Sequence, residues 1–415
     1  MSQPWLSGIV RMQQDQLLLN KAMRKFIYIL FVSALFAMSC EKEQQSGYKD
    51  GELPIHLGYM QFSTGVSTRA QLVTDMKAKS FGVLGYKYSS TTNWATAKPV
   101  TAPNTFYNME VSCADNGTCS YDAYPSDGTK NLKEWEDGNY SFFAYHPYNG
   151  KGITLSDMSA TNTPMLTYTY PWLNPTSGDS WYKTNLLSMN NKGEALYFNV
   201  VNLCDANAPV YDLITAEAID ANGTGSGTVG LDFKHRMFAL EVLANNYNEN
   251  SVDKYDARQT ITKLVLTLEG LQHSTMAIPM SMQNGESAPT YSGTVSGKRS
   301  FLITDPDITI LVPAFNETID GRGEGVATSV SKLGGNNGNA GYLMLIPQTT
   351  GLKGTLNWTE LSNFPGTIST DFTSNIEFKA GRLYQLYINY VGSGITIALI
   401  EAGAWDVHDV EHKFE

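Results

Sequence analysis

The feature that most limits how this chain can fold is a period of two. Tyr384, Leu386, Ile388 and Tyr390 alternate with other residues, and Ile395, Ile397 and Leu399 alternate again after Gly392-Ser393-Gly394, a β-hairpin by its turn chemistry. Leu53, Ile55, Leu57 and Tyr59 fall on one face of an extended segment. Val229, Leu231 and Phe233 do the same, and so do Phe238, Leu240 and Val242 after the interruption Lys234-His235-Arg236. Leu343 to Ile346 is a continuous apolar run stopped by Pro347, the pattern of a buried strand. Helical periodicity is scarce. Only 17% of residues are charged, while Gly, Thr, Asn, Ser and Tyr are plentiful. Many short strands with frequent turns predict an all-β protein built from sandwiches.

The N-terminal region reads as a targeting segment. Met23-Arg24-Lys25 is a short basic start, and the apolar stretch Phe26–Met38 ends at Ala37, Ser39 and Cys40. At about 1.5 Å per residue it would cover roughly 20 Å as a helix, short of the roughly 30 Å of a bilayer core. The pattern resembles a bacterial lipobox, which implies that residues 1–39 are removed and that Cys40 becomes the lipidated first residue. A plain signal peptide with an incidental Cys is the alternative. Met23 is the expected start, so residues 1–22 are set aside. Glu41 and Glu43 resemble the acidic tags that send some Bacteroidetes lipoproteins to the cell surface.

Of 29 Lys and Arg and 40 Asp and Glu, residues 1–40 hold four and one, so the remainder carries 25 against 39, a net charge of −14. Such an acidic chain is a poor partner for nucleic acid, whose phosphates need Lys and Arg. Cys113 and Cys119 bracket the turn signal Asp115-Asn116-Gly117, so a hairpin could bring them within disulfide range in an oxidising compartment. Unpaired thiols are the alternative; a metal site would need further ligands, and none is near in sequence. Cys204 reads as a small buried apolar residue. The Gly-rich stretch EAIDANGTGSGTV, between Ala216 and Val229, reads as a connection between domains at 41–220 and 228–415, or else as a long loop inside one domain.

Enzymatic signatures are weak. His408-Asp409-Val410-Glu411-His412 matches the H-x-x-E-H zinc motif, but it needs a helix, a third ligand and a cleft. A chance pair of solvated histidines is the simpler reading. The glycines at 223–227 precede a strand rather than the helix that would hold phosphate. His235 reads as structural and His146 as a loop residue, and Asp305 with Asp307 could stand for a glycosidase pair only as any two acids could. No enzymatic activity, cofactor or metal is expected.

Four stretches taken together resemble one family. FGVLGYKY (Phe81–Tyr88), YSFFAYHPY (Tyr140–Tyr148), YDLITA (Tyr211–Ala216) leading to VGLDFKHRMFALEV (Val229–Val242), and FKAGRLYQLYI (Phe378–Ile388) are similar, in order and spacing, to the fimbrillin-like proteins of Bacteroides and its relatives. The resemblance implies two tandem β-sandwich domains of transthyretin-like topology and a subunit of a type V pilus. It also implies a precursor held in the outer membrane by its lipid. An arginine-specific surface protease then removes an N-terminal strand, and the vacated groove accepts a strand from another fimbrillin subunit by β-strand addition. Here the removable strand would lie in Leu53–Phe62, and Arg69-Ala70, in the polar run Ser67-Thr68-Arg69-Ala70, is the candidate cleavage bond; an ordinary loop arginine is the alternative. Trp405, Val407, Val410 and Phe414 follow no single alternation, which makes a poor donor strand and leans toward an accessory or tip subunit over the stalk. A surface lipoprotein that stacks polysaccharide or host glycans on Trp135, Trp172, Trp181 and Trp358 is the competing function. Aromatics buried in sandwich cores would explain those residues equally well.

Overall fold

The computed structural model describes residues 53–60, 75–97, 102–123, 132–156, 164–189, 195–205, 207–223, 227–247, 259–281, 288–303, 310–312, 328–329, 342–360, 366–391 and 394–404. Among these the strands are β1 (His56–Tyr59), β2 (Ser80–Tyr88), β3 (Phe106–Cys113), β4 (Cys119–Tyr121), β5 (Asn139–His146), β6 (Ile153–Leu155), β7 (Met165–Thr169) and β8 (Tyr182–Met189). There follow β9 (Ala195–Asn202), β10 (Ile214–Ala221), β11 (Thr228–His235), β12 (Phe238–Tyr247), β13 (Gln259–Glu269), β14 (Thr275–Pro279), β15 (Thr290–Ser292) and β16 (Arg299–Leu302). The last are β17 (Ile310–Val312), β18 (Thr328–Ser329), β19 (Leu343–Leu345), β20 (Lys353–Glu360), β21 (Gly366–Thr373), β22 (Arg382–Val391) and β23 (Gly394–Ala404). A single helical turn at Trp94–Ala97 and a 3-10 turn at Pro171–Leu173 interrupt them. The fold is all-β, as the alternating pattern predicts.

The strands form four sheets. One runs β1-β11-β10-β5-β2-β3-β4, a second β18-β12-β22-β23 with β19 also on β12, a third β21-β20-β13-β16-β9-β8 with β17 also on β13, and a fourth β15-β14-β7-β6. Three of the pairings are parallel: β1 with β11, β9 with β16 and β12 with β22. The Gly-rich stretch read as a domain connection joins β10 to β11, antiparallel neighbours with Ala216 opposite Phe233. Those two strands lie side by side in one sheet, paired from Ile214–His235 to Glu217–Asp232. Strands before and after it also pair in two other sheets, β7 with β14 and β9 with β16. The chain changes sheet instead at the interruption after β11, where Arg236 donates its N–H to the Leu213 carbonyl at 2.8 Å before β12 begins.

Position in a sheet accounts for the burial patterns. β11 alternates strictly, with Val229, Leu231 and Phe233 buried and Thr228, Gly230 and Asp232 exposed. β2 and β5 lie in the middle of the same sheet and are buried on nearly every residue, so they read as continuous aromatic and aliphatic runs. Two glycines of β2 make this possible. A side chain at Gly82 would come within 2.5 Å of the Tyr145 ring, and one at Gly85 within 2.6 Å of the Phe106 ring, both carried by neighbouring strands. One contiguous core links Leu84, Tyr86 and Phe143 to Trp172, Leu240, Phe301 and Leu386. Within it Trp172 stacks on Tyr170 at 4.3 Å and meets the Phe301 ring edge-on at 5.2 Å, and the Ile346 N–H donates to the Tyr170 hydroxyl.

Candidate functional site

β1 occupies one end of its sheet, where it runs parallel to β11 with His56 opposite Thr228 and Tyr59 opposite Leu231. The alternation of Leu53–Tyr59 decides its orientation: Ile55 and Leu57 are 0% and 3% exposed, while His56 and Met60 face solvent. On the β11 side the His56 N–H donates to the Gly227 carbonyl at 3.0 Å and the Met60 N–H to the Leu231 carbonyl at 2.9 Å.

The strand is held on its other side as well. The Ile55 N–H donates to the Lys133 carbonyl at 2.7 Å, and Pro54 and Glu134 form an isolated bridge. The Ile55 carbonyl accepts the Tyr121 hydroxyl at 2.8 Å, and that hydroxyl accepts the Lys133 N–H at 3.1 Å. Tyr121 belongs to β4, the opposite end of the sheet order, so the sheet curls until its far end reaches the β1 segment. Trp135 adds its indole N–H to the Gly227 carbonyl at 3.1 Å. The Tyr59 hydroxyl packs on the β3–β4 turn, 2.9 Å from where a Gly117 side chain would begin. Burial and then the Asp75 carboxylate raise the Tyr59 phenol above its ordinary value, so it stays protonated.

This geometry makes a seat for one short strand: a few backbone bonds along β11, two aliphatic side chains in the core, and a polar clamp of Tyr121, Lys133 and Trp135. The alternation revealed the strand; the clamp is assembled from distant parts of the chain, so no local signal marks it.

Other sequence-derived residues fall as follows. Cys113 and Cys119 are joined by a disulfide and stand directly opposite each other in the β3–β4 pair. Cys204 is half-buried rather than buried, and its thiol donates to the Ile303 carbonyl at 3.3 Å. His235 lies 2.9 Å through Nδ1 from the buried carboxylate of Asp212. His146 ends β5 instead of lying in a loop; its Nδ1 is 2.6 Å from the Ser80 carbonyl, and burial lowers its pKa. Trp135, Trp172 and Trp181 are 6%, 2% and 3% exposed, so they pack in the core and offer no platform for sugars. Cys40, Arg69, Ala70, Asp305, Asp307, His408, His412 and the side chain of Trp358 lie outside the described residues. Among the described residues no three His, Cys, Asp or Glu side chains are placed to hold a metal ion.

A family profile for fimbrillin-like proteins matches residues 68–405, most of the chain. The chain belongs to the fimbrillin-like family. A fimbrial protein from Bacteroides vulgatus is similar to this fimbrillin-like chain in structure, with a TM-score of 0.51 and 18% identity over 85% of this chain and 99% of that one. Proposed cell adhesion proteins from Bacteroides ovatus and Bacteroides uniformis are similar over 88% and 86% of this chain and 100% and 99% of theirs. Their identities are 16% and 13%, with TM-scores of 0.44 and 0.41. Among curated proteins none matches the chain. At such identities the structural likeness speaks to fold alone, and the family rests on the profile.

Proposed function

We propose that this fimbrillin-like chain is a structural or adhesive subunit of a cell-surface type V pilus, assembled by protease-triggered strand exchange. In this reading the precursor is exported, lipidated at Cys40 and anchored in the outer membrane. An arginine-specific surface protease cuts between Arg69 and Ala70, β1 leaves, and a strand from another fimbrillin subunit replaces it. The same reading takes the four sheets as two sandwiches of transthyretin-like topology, with strands on either side of residues 220–228 interleaved between them.

The observation that carries the proposal is the seat of β1. A four-residue strand with Leu57 buried, preceded by the equally buried Ile55, lies N-terminal to Arg69 in sequence, so one cut would separate it covalently from the rest of its sheet. Without it β11 presents unpaired amides beside two empty aliphatic pockets, an edge that a second strand can satisfy. The role within the pilus is read as accessory or tip, since β23 is paired with β22 from Gly394 to Ala404 and would have to leave that ladder to serve a neighbour.

Limiting trypsin applied to the chain beginning at Glu41, with mass and oligomeric state followed together, tests the proposal. One early cut after Arg69, loss of the N-terminal fragment and growth of oligomers, or capture of a partner's C-terminal peptide, are the expected results. An uncut Arg69, or a cut chain that keeps β1 and stays monomeric, would overturn it.

A further inference from the structure

The disulfide sits at an informative place. β4 is only three residues long and ends its sheet, held to β3 by the pairs Val111–Tyr121, Ser112–Ser120 and Cys113–Cys119. Its last residue, Tyr121, carries the hydroxyl that grips the Ile55 carbonyl just before β1, and the turn closed by the bond carries Gly117, against which the Tyr59 hydroxyl packs. Both ends of β1 therefore lean on a hairpin whose short ladder includes one covalent link. Short edge strands with few pairs open locally far more often than central ones.

We propose that the Cys113–Cys119 bond is a latch on β1: by fixing β4 on β3 it keeps Tyr121 and the Gly117 turn against the N-terminal strand, and its reduction loosens that strand. A dithiol reagent supplies the two electrons and two protons. Each cysteine gains one of each and becomes a thiol, while the reagent closes to its own disulfide. The oxidised precursor is thus held shut, and a chain whose bond is never formed sheds β1 readily. The inference rests on the reading of β1 as the removable strand.

Hydrogen exchange in the uncut chain, before and after reduction with dithiothreitol under native conditions, tests it. Amides of residues 55–60 are expected to exchange on the order of tenfold faster after reduction, along with those of β4, while β12 and β22 are unchanged. The double variant Cys113→Ser with Cys119→Ser should match the reduced protein. The latch is overturned if β4 alone speeds up, for the bond then braces only its own hairpin. It is equally overturned if β12 and β22 speed up in step with β1, for the bond then staples the whole fold. Because no protease is used, a chain that resists cleavage at Arg69 and a chain whose β1 ignores the bond give different records.

Discussion

Trp135 and His56 share one acceptor: the indole N–H and the His56 backbone N–H both point at the Gly227 carbonyl, at 3.1 and 3.0 Å. A side chain at Gly223 would come within 2.9 Å of Trp135, whose ring also meets Tyr140 edge-on at 4.9 Å, so the indole packs against the connection between β10 and β11. Trp135→Phe keeps most of the ring and deletes the donor, and should lower stability by about 1 kcal/mol. Trp135→Ala also leaves a cavity and should lower it by about 3 kcal/mol or more. Urea unfolding of both variants checks this; equal losses would mean that the bond, not the packing, holds the indole.

The two faces of β1 should answer differently to truncation. Leu57→Ala removes a side chain that is 3% exposed and should destabilise the strand's seat by about 2 kcal/mol. That corresponds to release of the N-terminal fragment roughly thirtyfold more readily after cleavage. His56→Ala, on the solvent face, should change release by less than about 0.5 kcal/mol. Fragment dissociation followed by mass or fluorescence separates the two, and a His56 effect as large as that of Leu57 would contradict the described orientation of β1.

How far the sequence was legible follows from how local each signal is. The alternation in β1 and β11 showed strand and face together, because each has one side toward the core and the pattern needs no partner to be read. The same stretch could not say which strand β1 joins, since its neighbour β11 and its clamp on β4 and residues 133–135 come from far along the chain. Gly82 and Gly85 look like strand-weakening residues until the rings of Tyr145 and Phe106 are placed over them. The glycines at 223–227 have the composition of a linker and of a long loop alike, and composition carries no sign that the flanking β10 and β11 are neighbours in one sheet. Register and sheet order depend on non-local contacts that composition does not carry.

Buried phenols should set the alkaline limit of stability. Burial, more than any other cause, pushes Tyr145 and Tyr387 up to about 12. An acid whose folded pKa lies above its unfolded value of about 10 contributes stability that is complete below about pH 10 and fades as pH rises toward about 12. Tyr145→Phe removes one such group along with the hydrogen bond to Asn108 Oδ1 at 2.8 Å. It should flatten the fall in unfolding midpoint over that pH window and lower stability near neutrality slightly. A fall as steep as in the parent chain would show that Tyr145 ionises without opening the fold.

The acid side has a counterpart at Asp179, in the turn before β8. Its carboxylate accepts the Thr176 N–H at 2.7 Å and the Thr176 hydroxyl at 3.0 Å, and pairs with Lys151 at 3.0 Å; Lys151 in turn lies 5.1 Å above the Trp181 ring. The Thr176 backbone N–H, first, and then the Lys151 ammonium hold Asp179 at about 2. Since the folded pKa is depressed, the contribution to stability is complete above the unfolded value of about 3.9 and is lost as pH falls toward the folded one. An NMR titration of the Asp179 carboxyl should therefore show a midpoint near the value of about 2. Lys151→Met should move it only part of the way back toward about 3.9, because the turn is the larger cause. Full recovery in Lys151→Met would mean that the ion pair, rather than the Thr176 turn, fixes this charge.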